Sequence, residues 1–182
     1  SCLPHGKSQK ILSSLPTNIK ICDLSADFRF ENIQSYEKVY NKSHEAKGLQ
    51  KEAVYGLTEI NRDKIKKARF VANPGCYPTS ALLPILPLID SNIIKYGTIV
   101  VDSKSGVSGA GRTLKNNLLY GEVSEGFSAY GIVNHRHSPE IQSQITNFGS
   151  SEYKVLFTPH LLPIKRGILS TIYLSINDNL NL

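Results

Sequence analysis

Apolar and polar positions alternate along the chain in two rhythms. Short runs rich in β-branched and aromatic residues predict strands: IKICDLS (19–25), EAVYGLT (52–58), ARFVAN (68–73), GTIVVDSKS (97–105), YKVLFTP (153–159) and ILSTIYLSI (168–176). Between them KSQKILSSL, NRDKIKKA, PTSALLPILPLI and SPEIQSQITNF predict helices. The last two are entered by a proline in the first turn, where its missing N–H has no helical partner to lose. Strand and helix alternate through the first half, which argues an α/β arrangement there. The second half has longer irregular connections and two consecutive late strands, which fits an α+β domain with a mostly antiparallel sheet. The boundary falls between 1–73 and 74–182, and no internal repeat or low-complexity segment interrupts either part.

Composition adds exclusions. With 40% hydrophobic and 20% charged residues the chain is an ordinary globular one rather than a disordered one. Its longest apolar run, SALLPILPLI, is broken by prolines and far shorter than the roughly 20 residues of a membrane span, so no membrane is expected. The opening SCLPHG lacks the plan of a signal peptide, which makes the cytoplasm the expected location. There is no methionine, and the chain reads as cut from something longer. Cys2, Cys22 and Cys76 are widely spaced with no CxxC pair, so reduced thiols are expected rather than a disulfide framework or a cysteine zinc site. The net charge of +6 is spread along the chain and not clustered with aromatics, which suits small anionic substrates better than nucleic acid.

Four segments carry chemistry. In VANPGCYPTS, Cys76 sits between a predicted strand and a helix expected to start near Pro78, so its sulfur faces unpaired backbone N–H groups that favour a thiolate. Gly75 permits the tight turn, and Asn73 can offer its amide to an oxyanion; the alternative is a core cysteine in a proline-rich corner. In NHRHSPEI, Ser138 as N-cap and Pro139 at the first helical position imply an extended run before them, with His135 and His137 on one side and Arg136 on the other. Glu140 can orient the His137 imidazole, and this gives the thiol a proton shuttle; a surface pair or a metal half-site are the alternatives, and no further ligands support a metal. DSKSGVSGAGRTLK offers Ser105, Gly106, Gly109, Gly111 and Arg112 as a cradle for phosphate or a nucleotide edge, without matching a standard glycine fingerprint. DLSADFRF ends a strand with Ser25, Asp27 and Arg29 where α/β sheets place ligands, although Arg29 can equally be a surface ion-pair member. Thiol, histidine, glycine cradle and basic residues together point to covalent chemistry on an acyl group with phosphate as leaving group.

The segments LPHGKSQ, DLSADFRF, YGLTEIN, VANPGCYPTSALLPILPLI, SGVSGAGR, NHRHSPEI and PHLLPIKRGILSTIY, in this order, resemble the N-acetyl-γ-glutamyl-phosphate reductases of arginine biosynthesis. The resemblance covers nearly the whole chain but only the middle of the family's usual length. It implies the rear half of a Rossmann-type NADP-binding domain, without its glycine fingerprint, followed by an α+β catalytic domain. It also implies NADP(H) as cofactor, an acyl-phosphate substrate, and association into dimers or tetramers through the strands YKVLFTP and ILSTIYLSI. Carried over by residue, Cys76 forms a thioester, His137 is its acid/base partner with His135 beside it, and Glu140 supports both. Ser105, Gly106, Gly109 and Gly111 approach the nicotinamide, Pro4, His5 and Gly6 lie on a cofactor-side loop, and Asn73, Ser25, Arg29, Arg112 and Arg166 hold substrate. Rival readings are a lysine-pathway reductase, an aspartate-semialdehyde dehydrogenase, which usually carries NxNC where this chain has NPGC, and an inactive fragment of the same fold.

Overall fold

A computed structural model of the chain describes residues 1–178, and the chain divides into two compact units, Ser1–Gly75 and Cys76–Leu182. In the first, α1 (Ser8–Ser13), β1 (Ile21–Asp23), α2 (Ile33–Tyr40), α3 (Lys47–Gln50), β2 (Ala53–Tyr55), α4 (Thr58–Lys67) and β3 (Phe70–Ala72) follow in order. The strands form a parallel sheet in the order β1-β3-β2, with Ile21 and Ala53 both opposite Phe70. Parallel strands need crossovers, and the helices between them supply these. Leu12, Ile21, Phe28, Ala46, Leu49, Phe70 and Ala72 make the core, with Phe28 edge-on to Phe70 at 4.6 Å. Helices α2 and α3 are absent from the sequence reading. The first buries only Tyr36, too narrow a stripe to show as a period, and is defined by its ends. The Asn32 side chain accepts the Gln34 N–H at 2.8 Å, and Asn41 closes the helix in a left-handed conformation at φ 50°.

The second unit contains α5 (Cys76–Asp90), β4 (Thr98–Gly106), α6 (Tyr120–Val123), β5 (Ser128–Ala129), α7 (His137–Phe148), β6 (Lys154–Leu162) and β7 (Ile168–Tyr173). The sheet order is β5-β6-β4-β7. It is mixed: β5 pairs with β6 and β7 with β4 antiparallel, while β4 and β6 run parallel because α7 carries the chain back before β6. Along β4, Ile99, Val101, Ser103 and Ser105 point inward and the residues between them outward, the period of a sheet covered on one face. Helices α5 and α7 cover that face with Ala81, Leu82, Ile85, Ile141 and Ile145, none of them accessible to solvent. Pro84 and Pro87 lie inside α5 without ending it. On the other face Leu156, Leu169 and Tyr173 are each more than half exposed. Among the described residues no helix is long and apolar enough to cross a membrane.

Candidate active site

Cys76 is the first residue of α5, two positions earlier than the proline-based expectation, and its side chain is exposed. A 15-residue helix begins at this residue, so Cys76 belongs to the turn whose backbone N–H groups have no helical partners and carry the partly positive end of the helix. Two cavities share its walls. The larger, about 550 Å³, is lined by Cys76, His135, His137, Arg136 and Lys115, with Tyr130 and Gly109 at its edge. The smaller, about 230 Å³, is lined by Cys76, Ser105, Gly106, Gly109 and Gly167, and Tyr77 and Tyr130 wall both.

The two histidines meet by a route other than strand alternation. Arg136, at φ −56° and ψ −22°, is already helical rather than extended, and α7 starts at His137. Pro139 still sits in the first turn, so the helix extends one residue before Ser138 without losing a bond, and the expected extended run gives way to a turn. In that turn Ser138 donates its N–H to the His135 carbonyl at 2.9 Å and His137 donates its N–H to His135 Nδ1 at 3.1 Å. The rings stand 4.9 Å apart, tilted by 63°, and both present edges to Tyr77. Burial, with the Arg136 guanidinium adding to it, pulls His135 down to about 4. The ring is therefore neutral near pH 7, and with Nδ1 accepting a hydrogen bond its proton sits on Nε2. His137 and Glu140 are both buried in the first turn of α7.

Behind the cysteine runs a chain of hydroxyls that the sequence reading missed. Tyr77 donates its phenol proton to Ser105 Oγ at 2.7 Å, and the Tyr130 hydroxyl lies 2.9 Å from the same phenol oxygen. Burial pushes the Tyr77 phenol well above the usual tyrosine range. The glycine loop is fixed on its other side: Gly106, Val107 and Ser108 donate N–H groups to Gly167, Ile164 and Lys165 carbonyls at 2.9–3.1 Å. A Cβ on Gly106 would lie 2.7 Å from Arg166 N and 2.8 Å from the Ile164 carbonyl, so only glycine permits this approach.

The structure thus brings Cys76, His135, His137, Ser105, Gly106 and Gly109 to one place. Arg112, Arg166 and Gly111 are exposed and line neither cavity. The cations on the larger cavity are Lys115, the last residue of the DSKSGVSGAGRTLK segment, and Arg136.

The remaining candidates belong to the first unit, where they converge on Asp27. That carboxylate is fully buried. It accepts the Gly6 N–H on both oxygens at 2.9 Å, the Ser8 hydroxyl at 2.5 Å and the Tyr36 hydroxyl at 3.2 Å, with His5 Nδ1 at 2.6 Å. Burial raises its affinity for a proton, but the close His5 imidazole and the hydrogen bonds from Ser8 and Gly6 outweigh that and hold it far below the usual carboxylate range. Asp27 therefore fixes the loop Pro4–Gly6, where Gly6 has φ 79°. Ser25 donates to Asp23 at 2.5 Å, and Arg29 donates to the carbonyls of Asn73 and Leu24 at 2.9 Å each. The Asn73 amide donates to the Pro74 carbonyl at 3.0 Å. These side chains brace the loops that follow β1 and β3.

Comparison with known proteins matches residues 76–182 to the semialdehyde dehydrogenase dimerisation domain and residues 1–68 to the semialdehyde dehydrogenase NAD binding domain. A probable chloroplastic N-acetyl-gamma-glutamyl-phosphate reductase of Arabidopsis thaliana is 58% identical over 172 residues, 94% of this chain and 43% of that protein. The N-acetyl-gamma-glutamyl-phosphate reductase of Clostridium novyi is 49% identical over 180 residues, 98% of this chain and 52% of its own length. The chain thus spans about half the length of the curated relatives it matches. Among solved structures, aspartate semialdehyde dehydrogenase II from Vibrio cholerae superposes with a TM-score of 0.57 at 14% identity, over 85% of this chain and 48% of that one, a likeness of fold.

Proposed function

The chain belongs to the semialdehyde dehydrogenase family, and from that premise we propose that its parent protein reduces N-acetyl-γ-glutamyl phosphate to N-acetylglutamate 5-semialdehyde through a thioester on Cys76. The observation that carries this is the meeting of two cavities at one exposed cysteine, one lined with cations and imidazoles and the other with glycines. The identity of 46–58% to relatives named N-acetyl-gamma-glutamyl-phosphate reductase supports the choice of acyl phosphate.

In this reading the Cys76 thiolate attacks the acyl carbon. The C–S bond forms, the bond from that carbon to the phosphate oxygen breaks, and phosphate leaves with the electron pair. Lys115 and Arg136 meet the phosphate charge across the larger cavity. The histidines divide the proton work. His137, with Glu140 in the same turn, accepts the thiol proton and later gives it to the hemithioacetal oxygen, while the neutral His135 donates a hydrogen bond from Nε2 to that oxygen. On collapse the hemithioacetal hydroxyl returns its proton to His137, the C–S bond breaks, and aldehyde and thiolate separate.

The residues around the smaller cavity suit a flat nicotinamide ring. Gly109 and Gly167 put no side chain into it, and a Cβ on Gly109 would have no neighbour closer than Ser105 Oγ at 3.9 Å, so that space stays free. Ser105, Gly106 and Gly109 would hold that ring, and in the first unit the loop Pro4–Gly6 is offered to the cofactor in a conformation preset by Asp27. NADP(H), when bound, supplies the hydride. The exposed sheet face with Leu156, Leu169 and Tyr173 is proposed as the contact between identical subunits, and the cytoplasm, or a chloroplast as in the plant relatives' names, as the location.

The test is the reverse reaction with full-length protein: N-acetylglutamate semialdehyde and phosphate should reduce NADP⁺. Cys76→Ser should lower the rate at least a thousandfold; a variant that keeps activity would remove the thioester from the account.

A further inference from the structure

We propose that Tyr77 is a positioning residue that aims the Ser105 hydroxyl proton at a carbonyl oxygen in the smaller cavity, with Tyr130 completing the chain; the inference rests on the thioester reading above. Tyr77 has a single phenol hydrogen and spends it on Ser105 Oγ at 2.7 Å. The contact of 2.9 Å between the two phenol oxygens must then be donated by Tyr130. The three hydroxyls are thus ordered Tyr130 to Tyr77 to Ser105, and the Ser105 proton is left for another acceptor.

Ser105 has little freedom to choose that acceptor. It is buried within β4, and its Oγ lies 3.9 Å from the place a Gly109 Cβ would occupy, so the hydroxyl borders the glycine-lined space that Cys76 also borders. Tyr77 cannot drift, because it is buried with its ring set among His135, His137 and Phe157. The residue next to the nucleophile in sequence therefore sets a donor facing the same cavity as the nucleophile. A hydroxyl held this way costs no reorganisation when an oxygen arrives or gains charge.

Two carbonyls have the right chemistry: the acyl carbonyl bound to Cys76, or a carboxamide carbonyl on the cofactor. The test separates them. In full-length protein without cofactor, acylation of Cys76 by N-acetyl-γ-glutamyl phosphate is followed by intact mass for wild type, Tyr77→Phe, Ser105→Ala and the double variant. The KM for NADPH is measured beside it, and melting temperature checks the fold. Phe keeps the ring, so Tyr77→Phe should melt near wild type. Should it not fold, Ser105→Ala and Tyr130→Phe carry the same comparison.

The inference expects each single variant to lose on the order of tenfold, and the double to lose no more than the worse single, because both remove one hydrogen bond's direction. A loss in the acylation rate assigns the acyl carbonyl; a raised KM for NADPH with normal acylation assigns the carboxamide. Wild-type levels of both in the single variants, or losses that multiply in the double, overturn the inference. Wild type that is never acylated overturns the thioester reading with it.

Discussion

His137 donates its backbone N–H to Nδ1 of His135 at 3.1 Å, which fixes the tautomer of a ring that burial keeps neutral. The sign of its pH dependence follows. The folded protein holds His135 at about 4 and the unfolded chain near the ordinary 6.5, so between those values the unfolded state binds the extra proton. Stability from this group is complete above about pH 6.5 and is lost as pH falls toward 4. Urea unfolding at pH 7.0, 5.5 and 4.5 should show His135→Gln losing less stability across this range than wild type. Equal losses would show that His135 is not held neutral by the fold.

The charges on the larger cavity are expected to act on substrate. Lys115→Met and Arg136→Met should each raise KM for the acyl phosphate by about tenfold, the scale of one charge-assisted hydrogen bond. Arg112→Met, exposed and away from the cavity lining, should stay within about twofold of wild type. Steady-state kinetics on the three variants decides between them.

Two neighbouring glycines should respond differently to the same methyl group. Gly106→Ala places it 2.7 Å from a backbone nitrogen that cannot swing away, and should cost about 2 kcal/mol of stability. Gly109→Ala meets nothing closer than 3.9 Å and should fold normally, yet narrow the smaller cavity and raise KM for NADPH several-fold. Thermal melts and cofactor kinetics on both test the distinction.

Asp27→Asn should destabilise the first unit by about 3 kcal/mol, because one carboxylate serves Gly6, Ser8, Tyr36 and His5 together. The wild-type contribution is present above the ordinary carboxylate value of 3.8 and is lost as pH falls below it, since the folded value is the lower one. Acid unfolding of wild type and variant should therefore converge at low pH.

What was legible in the sequence had local causes. The strand, turn and proline around Cys76 announce a thiol at a helix start, and the alternation in GTIVVDSKS announces a strand with one covered face. What was hidden depended on contacts distant in sequence. Tyr77 reads as another apolar residue until Ser105 and Tyr130, 28 and 53 positions away, arrive at its hydroxyl. The histidine pair was legible as a pair, but its geometry was not, because the helix absorbed His137 and turned an expected extended run into a turn. Ser25, Asp27 and Arg29 looked like ligand-facing groups at a strand end. In the fold Asp27 gathers polar atoms of four residues, His5, Gly6, Ser8 and Tyr36, and Arg29 ties two loops through their carbonyls.

The most direct measurement of the central claim is the site of acyl transfer. Full-length protein is mixed with N-acetyl-γ-glutamyl phosphate without cofactor, quenched in acid, digested and mapped by mass spectrometry, with the exposed Cys2 and Cys22 as internal controls. The account expects one N-acetylglutamyl group, on Cys76, released by hydroxylamine as a thioester is. Acyl groups on Cys2 or Cys22 in equal measure, or none on Cys76 while the protein still turns over substrate with NADPH, would contradict it.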